Sequence, residues 1–158
     1  MSDPQVGHEK TLTGLMSALA GANQIYGAGM LESGVTIDFA QLVMDNEIAR
    51  MIKHCVSGIP VSDATLMVDD IRRVGSAGDF LSMPSTLAHM REHQSMPRLI
   101  DRTVREDWEA RGSTDIVTRA LEEARSILAD HRPDYLPADV RKQVREVRKA
   151  AETKLGAT

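Results

Sequence analysis

Thr11–Ala22 reads TLTGLMSALAGA and runs directly into Asn23–Met30, NQIYGAGM. Leu12, Leu15, Met16 and Leu19 recur at helical spacing among small residues such as Gly14, Ser17 and Gly21, with no charge in the run. A helix without a charged face packs on more than one side, and its small residues permit close approach of another element. The following run is built around Ile25 and Tyr26 and ends in glycines, which fits a buried strand opening into a loop. Helix followed by buried strand is an α/β rhythm.

Downstream, helical periodicity dominates. From Ile37 to Val56 the apolar positions Phe39, Leu42, Val43, Ile48, Met51, Ile52 and Val56 recur at threes and fours, with Asp38 at the positive end of the dipole and Gly58 and Pro60 as stop signals. Ser62 and Asp63 suit the cap of a helix over Ala64–Val74. Pro84 opens another over Ser85–His93, which Pro97 ends. Leu99–Arg111 is a helical candidate around Trp108. Ser113–Asp130 and Pro137–Leu155 each carry an apolar stripe, and the proline-bearing link His131–Pro137 makes a helical hairpin the natural arrangement. The basic residues of Arg141–Lys154 interleave with Glu146 and Glu152 as a solvated face.

Composition bounds the function. The 158 residues are 42% hydrophobic and 27% charged, which suits one folded domain or part of a larger one. A net charge of −4 gives no general grip on nucleic acid, and five aromatic residues are too few for a base-stacking platform. No apolar run reaches the roughly 18 residues of a membrane helix, and Met1–Lys10 lacks the order of a secretion signal. The one cysteine, Cys55, excludes an internal disulfide and suits a reducing compartment, so the cytoplasm is the expected location. Its place beside Ile52 and Val56 predicts a buried thiol.

Two constellations invite chemistry. His89, Glu92 and His93 form H-x-x-E-H, which on a helix sets two imidazoles one turn apart for a zinc ion with a glutamate to activate water. A zinc hydrolase also needs a third protein ligand and a cleft, and the sequence identifies neither, so no metal is assigned. Gly27, Gly29 and Gly34 lack the spacing of a dinucleotide fingerprint, and instead let the backbone turn and approach a ligand or a neighbouring loop closely. The polar, turn-rich Asp3–Glu9 reads either as a frayed terminus or as a loop at the carboxyl end of a strand, where barrels place ligands.

A resemblance chooses between these. Gln5-Val-Gly-His8-Glu-Lys-Thr-Leu-Thr-Gly-Leu, Ala18-Leu-Ala-Gly-Ala-Asn23, Tyr26-Gly-Ala-Gly-Met-Leu-Glu32-Ser-Gly and Gln41-Leu-Val-Met-Asp45-Asn46-Glu47-Ile resemble the carboxyl-terminal part of trimethylamine methyltransferases, whose relatives act on glycine betaine and similar quaternary amines. The likeness continues through Asp69–Gly78, Phe80, Thr86 and Trp108. It implies a mainly α chain with one or two short strands: a carboxyl-terminal fragment of a (β/α)8 TIM barrel followed by a helical extension. Residues 1–58 would be the last βα units, 59–112 a helical segment packing on the barrel, and 113–158 the hairpin. Asp3–Glu9 would follow the seventh strand, Asn23–Met30 would be the eighth, and Thr36–Val56 the final barrel helix. Six strands, and the pyrrolysine position of the trimethylamine enzymes, have no counterpart in these residues.

The same resemblance implies a methyl group moved from a methylated amine to a corrinoid (cobalamin) held by a separate corrinoid protein. Gln5, His8 and Glu32 would bind substrate, with Glu32 offsetting the amine's positive charge, and Gly27 and Gly29 would face the corrinoid. Catalytic residues are not identified. The unpaired strand edges and the charge-free helix lead to an expected homo-oligomer or a complementary barrel polypeptide. The alternative reading is a noncatalytic helical interaction module built on the same scaffold.

Overall fold

The Asp3 side chain accepts the Val6 amide at 3.0 Å, and Pro4 occupies a first-turn position that needs no amide partner, so the chain is helical from Pro4 to Leu19 (α1). The computed structural model describes residues 2–133 and 135–156. Among them, α1 is followed by two short antiparallel strands, β1 (Met30–Leu31) and β2 (Thr36–Ile37), with Met30 opposite Ile37 and Leu31 opposite Thr36. Seven helices then complete the order: α2 (Phe39–Val56), α3 (Asp63–Leu66), α4 (Val68–Val74), α5 (Pro84–Met90), α6 (Arg105–Ala110), α7 (Ile116–Asp130) and α8 (Ala138–Leu155). The chain divides into two units, Met1–Arg125 and Ser126–Thr158. No helix among the described residues is long and apolar enough to cross a membrane.

The mainly helical expectation holds, and several local ones do not. Asp3–Glu9 is not a loop: cap and proline together start a helix there. Asn23–Ala28 is irregular rather than a buried strand, with Ile25 50% and Tyr26 84% exposed. A parallel strand draws its hydrogen bonds from flanking strands, and the described residues supply none beside this run. The helix expected over Ala64–Val74 is split at Met67, whose φ of 52° lies in the left-handed region. Of Leu99–Arg111 only Arg105–Ala110 is helical. Cys55 is exposed, because the last turn of α2, Lys53–Val56, is solvated all round and helical phase no longer decides burial there. Of the expected turn His131–Pro137, Asp134 lies outside the described residues.

In the first unit α1 and α2 run in the same direction. Lys10 meets Asp45, and one turn further along α1 and two along α2 Gly14 meets Ile52, where a β-carbon on residue 14 would lie 3.0 Å from Ile52 Cδ1. The absence of a side chain at Gly14 is therefore what lets these helices approach. Ala40, Met44, Leu99 and Ala120 form a buried cluster, with Val43, Ile116 and Val117 against it.

Polar groups complete that core. Leu99 and Ile100 belong to no helix, and their amides donate to the buried Glu47 carboxylate of α2 at 2.6 and 3.2 Å. From the other side Arg119 of α7 donates to the Leu99 carbonyl at 2.9 Å and to Thr114. Trp108 fastens the same turn by donating to the Thr114 carbonyl at 2.9 Å. Burial by itself raises the Glu47 pKa, but the amides of residues 98–100 and the nearby Arg50 charge outweigh it and hold the carboxyl below its ordinary 4.5. Asp115, whose carboxylate accepts the Thr118 amide at 2.7 Å just ahead of α7, is lowered chiefly by that bond.

In the second unit α8 has no buried residue. Lys142 with Glu146 and Arg148 with Glu152 pair one turn apart along it, as expected of a solvated face.

A depressed folded-state pKa at Glu47 contributes stability that is complete above the unfolded value near 4.5 and disappears as pH falls through the lower folded value. Thermal melts of Glu47→Gln should therefore show a loss of about 1.5–3 kcal/mol at pH 7 and a shallower further decline below pH ~4.5 than the unsubstituted chain. Parallel pH–stability curves for the two would refute this role.

Candidate functional site

The Asp45 carboxylate is the meeting point of α1, the glycine loop and α2. It is buried on α2, one turn after Gln41, whose Nε2 donates to Oδ1 at 2.6 Å. Oδ2 accepts from Lys10 Nζ at 2.5 Å and from the Gly29 amide at 2.8 Å. Lys10 also donates to the Gly27 carbonyl at 3.1 Å. The Lys10–Asp45 pair keeps the network neutral, and the carboxylate has three donors to replace the water it gave up. Gln41 Oε1 is buried without a hydrogen-bond partner among the described residues.

Gly29 is held on both backbone groups, since its carbonyl accepts the Asp38 amide at 2.9 Å while Asp38 caps α2 by accepting the Gln41 amide at 2.8 Å. With φ of 76°, and with the site of a β-carbon 3.0 Å from Leu42 Cβ, position 29 admits only glycine without strain. Beyond it, Glu32 and Ser33 both have positive φ, 52° and 55°, in a one-turn 3-10 segment (Glu32–Gly34). Two successive non-glycine residues in that region store strain in the turn that presents Glu32.

The residues singled out from the sequence fall into two groups. Gly27 and Gly29 are drawn together with Lys10, Gln41 and Asp45, and Gly29 is buried, its polar groups directed inward to α2. Gln5, His8 and Glu32 are exposed, and the hydrogen bonds of Gln5 and Glu32 are local: Gln5 Nε2 donates to Glu9 at 2.9 Å and Thr36 donates to Glu32 at 2.9 Å. No described hydrogen bond joins these three to the Asp45 network. Lys10, Gln41 and Asp45 were not singled out as site residues. Their signal was present in helical phase, because Gln41 and Asp45 fall at the same turns as Met44, Ile48 and Ile52 and so belong to the inward face.

The arrangement contains no paired acid and base aimed at a common point. It is a hydrogen-bonded network of Lys10, Gly27, Gly29, Gln41 and Asp45, followed in the chain by a strained, exposed turn. A family model described as trimethylamine methyltransferase (MTTB) matches residues 1–154. The chain belongs to the trimethylamine methyltransferase family.

Its similarity to individual members is extensive along this chain and partial along theirs. It is 53% identical over 154 residues to trimethylamine methyltransferase MttB of Desulfitobacterium hafniense, covering 98% of this chain and 31% of that protein. To MttB of Methanosarcina barkeri it is 46% identical over 145 residues, 92% of this chain and 29% of the relative. The glycine betaine methyltransferase of Desulfitobacterium hafniense is more distant, at 29% identity over 139 residues, 87% of this chain and 29% of that protein. The chain thus spans about a third or less of the length of these trimethylamine methyltransferase family members.

Removing the shared acceptor should undo the site from the inside. Asp45→Ala leaves the partly buried Lys10 ammonium without its counterion and the Gly29 amide without its acceptor, and is expected to cost about 3–5 kcal/mol in urea unfolding followed by far-UV circular dichroism. Asp45→Asn, which keeps an acceptor oxygen, should cost less, and Gly29→Ala about 1–3 kcal/mol. An Asp45→Ala chain with an unchanged midpoint would show that the network does not support the fold.

Proposed function

We propose that this chain is the carboxyl-terminal part of a methyltransferase that moves a methyl group from a methylated amine to a corrinoid carried on a separate protein. The observation that carries the reading is 53% identity to a trimethylamine methyltransferase across 98% of the chain. The lower identity to the glycine betaine enzyme, 29%, favours trimethylamine as donor. The parallel course of α1 and α2 supports placement in a barrel. Consecutive helices of a (β/α)8 barrel run parallel, and the chain returns between them along an extended strand. Ala20–Asp38 links the end of α1 to the start of α2, and Lys10 of α1 holds the Gly27 carbonyl of this link at 3.1 Å, so the irregular run Asn23–Ala28 would be the eighth strand once its neighbours are present.

In this reading a bound corrinoid would supply reduced cobalt as the nucleophile for the methyl carbon, with the amine as leaving group keeping the electron pair of the broken C–N bond. The chain's own task is to hold the cationic donor in line and away from water. Glu32, presented by the strained turn, offsets the positive charge of the amine, and Gln5 and His8 orient it from the first turns of α1. Gly27 and Gly29 set the level of the loop beneath the corrinoid through their bonds to Lys10 and Asp45.

The remaining barrel covers the surface that these residues leave open. Leu12, Met16 and Leu19 lie at successive turns of α1 and are 51%, 59% and 60% exposed. Burying each is worth about 1.5–3 kcal/mol, enough together to matter against the 5–15 kcal/mol of an ordinary domain. Amide exchange of Asn23–Ala28 should be fast in the chain alone and slow at least about tenfold when the complementary barrel polypeptide, or a second copy of the chain, is present. Unchanged exchange in every mixture would contradict the barrel placement.

With the complementary polypeptide and the corrinoid protein present, methyl transfer should proceed from trimethylamine and more slowly from glycine betaine. Glu32→Gln should lower kcat/KM about tenfold or more, mostly through KM, as expected for loss of a charge that faces donor and transition state alike. Protected strand amides without transfer from any methylated amine would identify the chain as a noncatalytic helical interaction module instead.

A further inference from the structure

We propose that His89, Glu92 and His93, at the carboxyl end of α5, form a three-ligand site for a divalent transition-metal ion, zinc foremost. Each offers one donor atom, and the three atoms lie within 4.8 Å of one another. His89 Nδ1 and Glu92 Oε2 are 3.4 Å apart, which matches the separation of about 3.4 Å between two donors bonded at 2.0–2.1 Å to a tetrahedral ion. The two imidazoles stand with ring centres 5.1 Å apart, held by the His93 amide donating to the His89 carbonyl at 2.9 Å.

A second observation points to the same place. His89 Nδ1 and, one turn earlier, Ser85 Oγ are buried atoms without a hydrogen-bond partner among the described residues. Both residues line an open cavity of about 400 Å³ together with Met67, Asp69 and Asp70. Glu92 and His93 lie outside that lining, and the group beside His89 Nδ1 is the Glu92 carboxylate at 3.4 Å, without hydrogen-bond geometry; an ion shared by the two would satisfy that nitrogen. Asp69 is paired with Arg72 at 3.1 Å and Asp70 with Arg73 at 3.9 Å, so the acid that faces His89 is Glu92. Arg91, the nearest cation in sequence, lines a different cavity beside Glu47 and His54.

This departs from the sequence reading, which cast Glu92 as activator of a water and found no third ligand. The helix ends at Met90, and in the turn that follows Glu92 faces His89 and becomes that ligand. Two imidazoles and a carboxylate favour zinc, copper, nickel or iron over magnesium or calcium. The ion would tie the end of α5 to residues 91–93, a local staple separate from the glycine loop, so its presence does not depend on methyl transfer.

Cobalt(II) titration of the untagged chain, read by visible absorption and then by displacement with zinc, tests the site. One equivalent should bind and be displaced, and zinc should raise the melting temperature. His93→Ala and Glu92→Gln should each weaken binding by at least about tenfold, because losing a ligand costs no less than disturbing its outer-shell partner. Their circular dichroism should be unchanged, while His54→Ala and His131→Ala should bind as before. Absence of saturable one-to-one binding, or binding indifferent to His93→Ala and Glu92→Gln, would overturn the proposal.

Discussion

The buried carboxylate of Asp45 is the constraint on which the first unit rests. A charge taken out of water must be met by donors, and the three that meet it come from three places: the Lys10 ammonium on α1, the Gly29 amide in the loop and the Gln41 amide on α2. Satisfying one side chain therefore sets the register of α1 against α2 and the depth of the loop between them. The gap left by Gly14 for Ile52 then allows the helices to close.

Half a turn further along α2, Glu47 repeats the device with a different segment. It gathers the amides of Leu99 and Ile100, and Arg119 holds the Leu99 carbonyl, so a stretch with no regular structure is fixed between two helices. Irregular backbone inside a core needs such partners, since its amides and carbonyls find none along the chain. α2 thus serves as a post whose inward acids hold two loops. One of these loops continues into the strained turn at Glu32.

Legibility from sequence followed the range of the interactions. Helical periodicity located α2, α7 and α8 closely, because hydrophobic phase and capping act within a few residues. Asp3-Pro4 is an equally local start signal for α1, but its resemblance to a barrel loop displaced the simpler reading. Gly27 and Gly29 were recognised as positions of close approach, though not what they approach. Asp45 is polar and so does not stand out in an apolar stripe, although its spacing from Gln41, Met44 and Ile52 places it inward. The break at Met67 falls at a residue that is neither Gly nor Pro, and the exposure of Cys55 depends on what does not cover the end of α2.

The sequence by itself determined the helical character of the chain, its family and the glycine positions, since propensity, capping and motif identity are properties of neighbouring residues. Only the tertiary structure decided that Asn23–Ala28 is irregular, that Asp45 and Glu47 are buried acceptors, and that Glu92 joins His89 and His93. The physical reason is that a strand, a buried charge and a ligand set are each defined by partners distant along the chain or by the course of a turn. Those partners enter only when the backbone has folded.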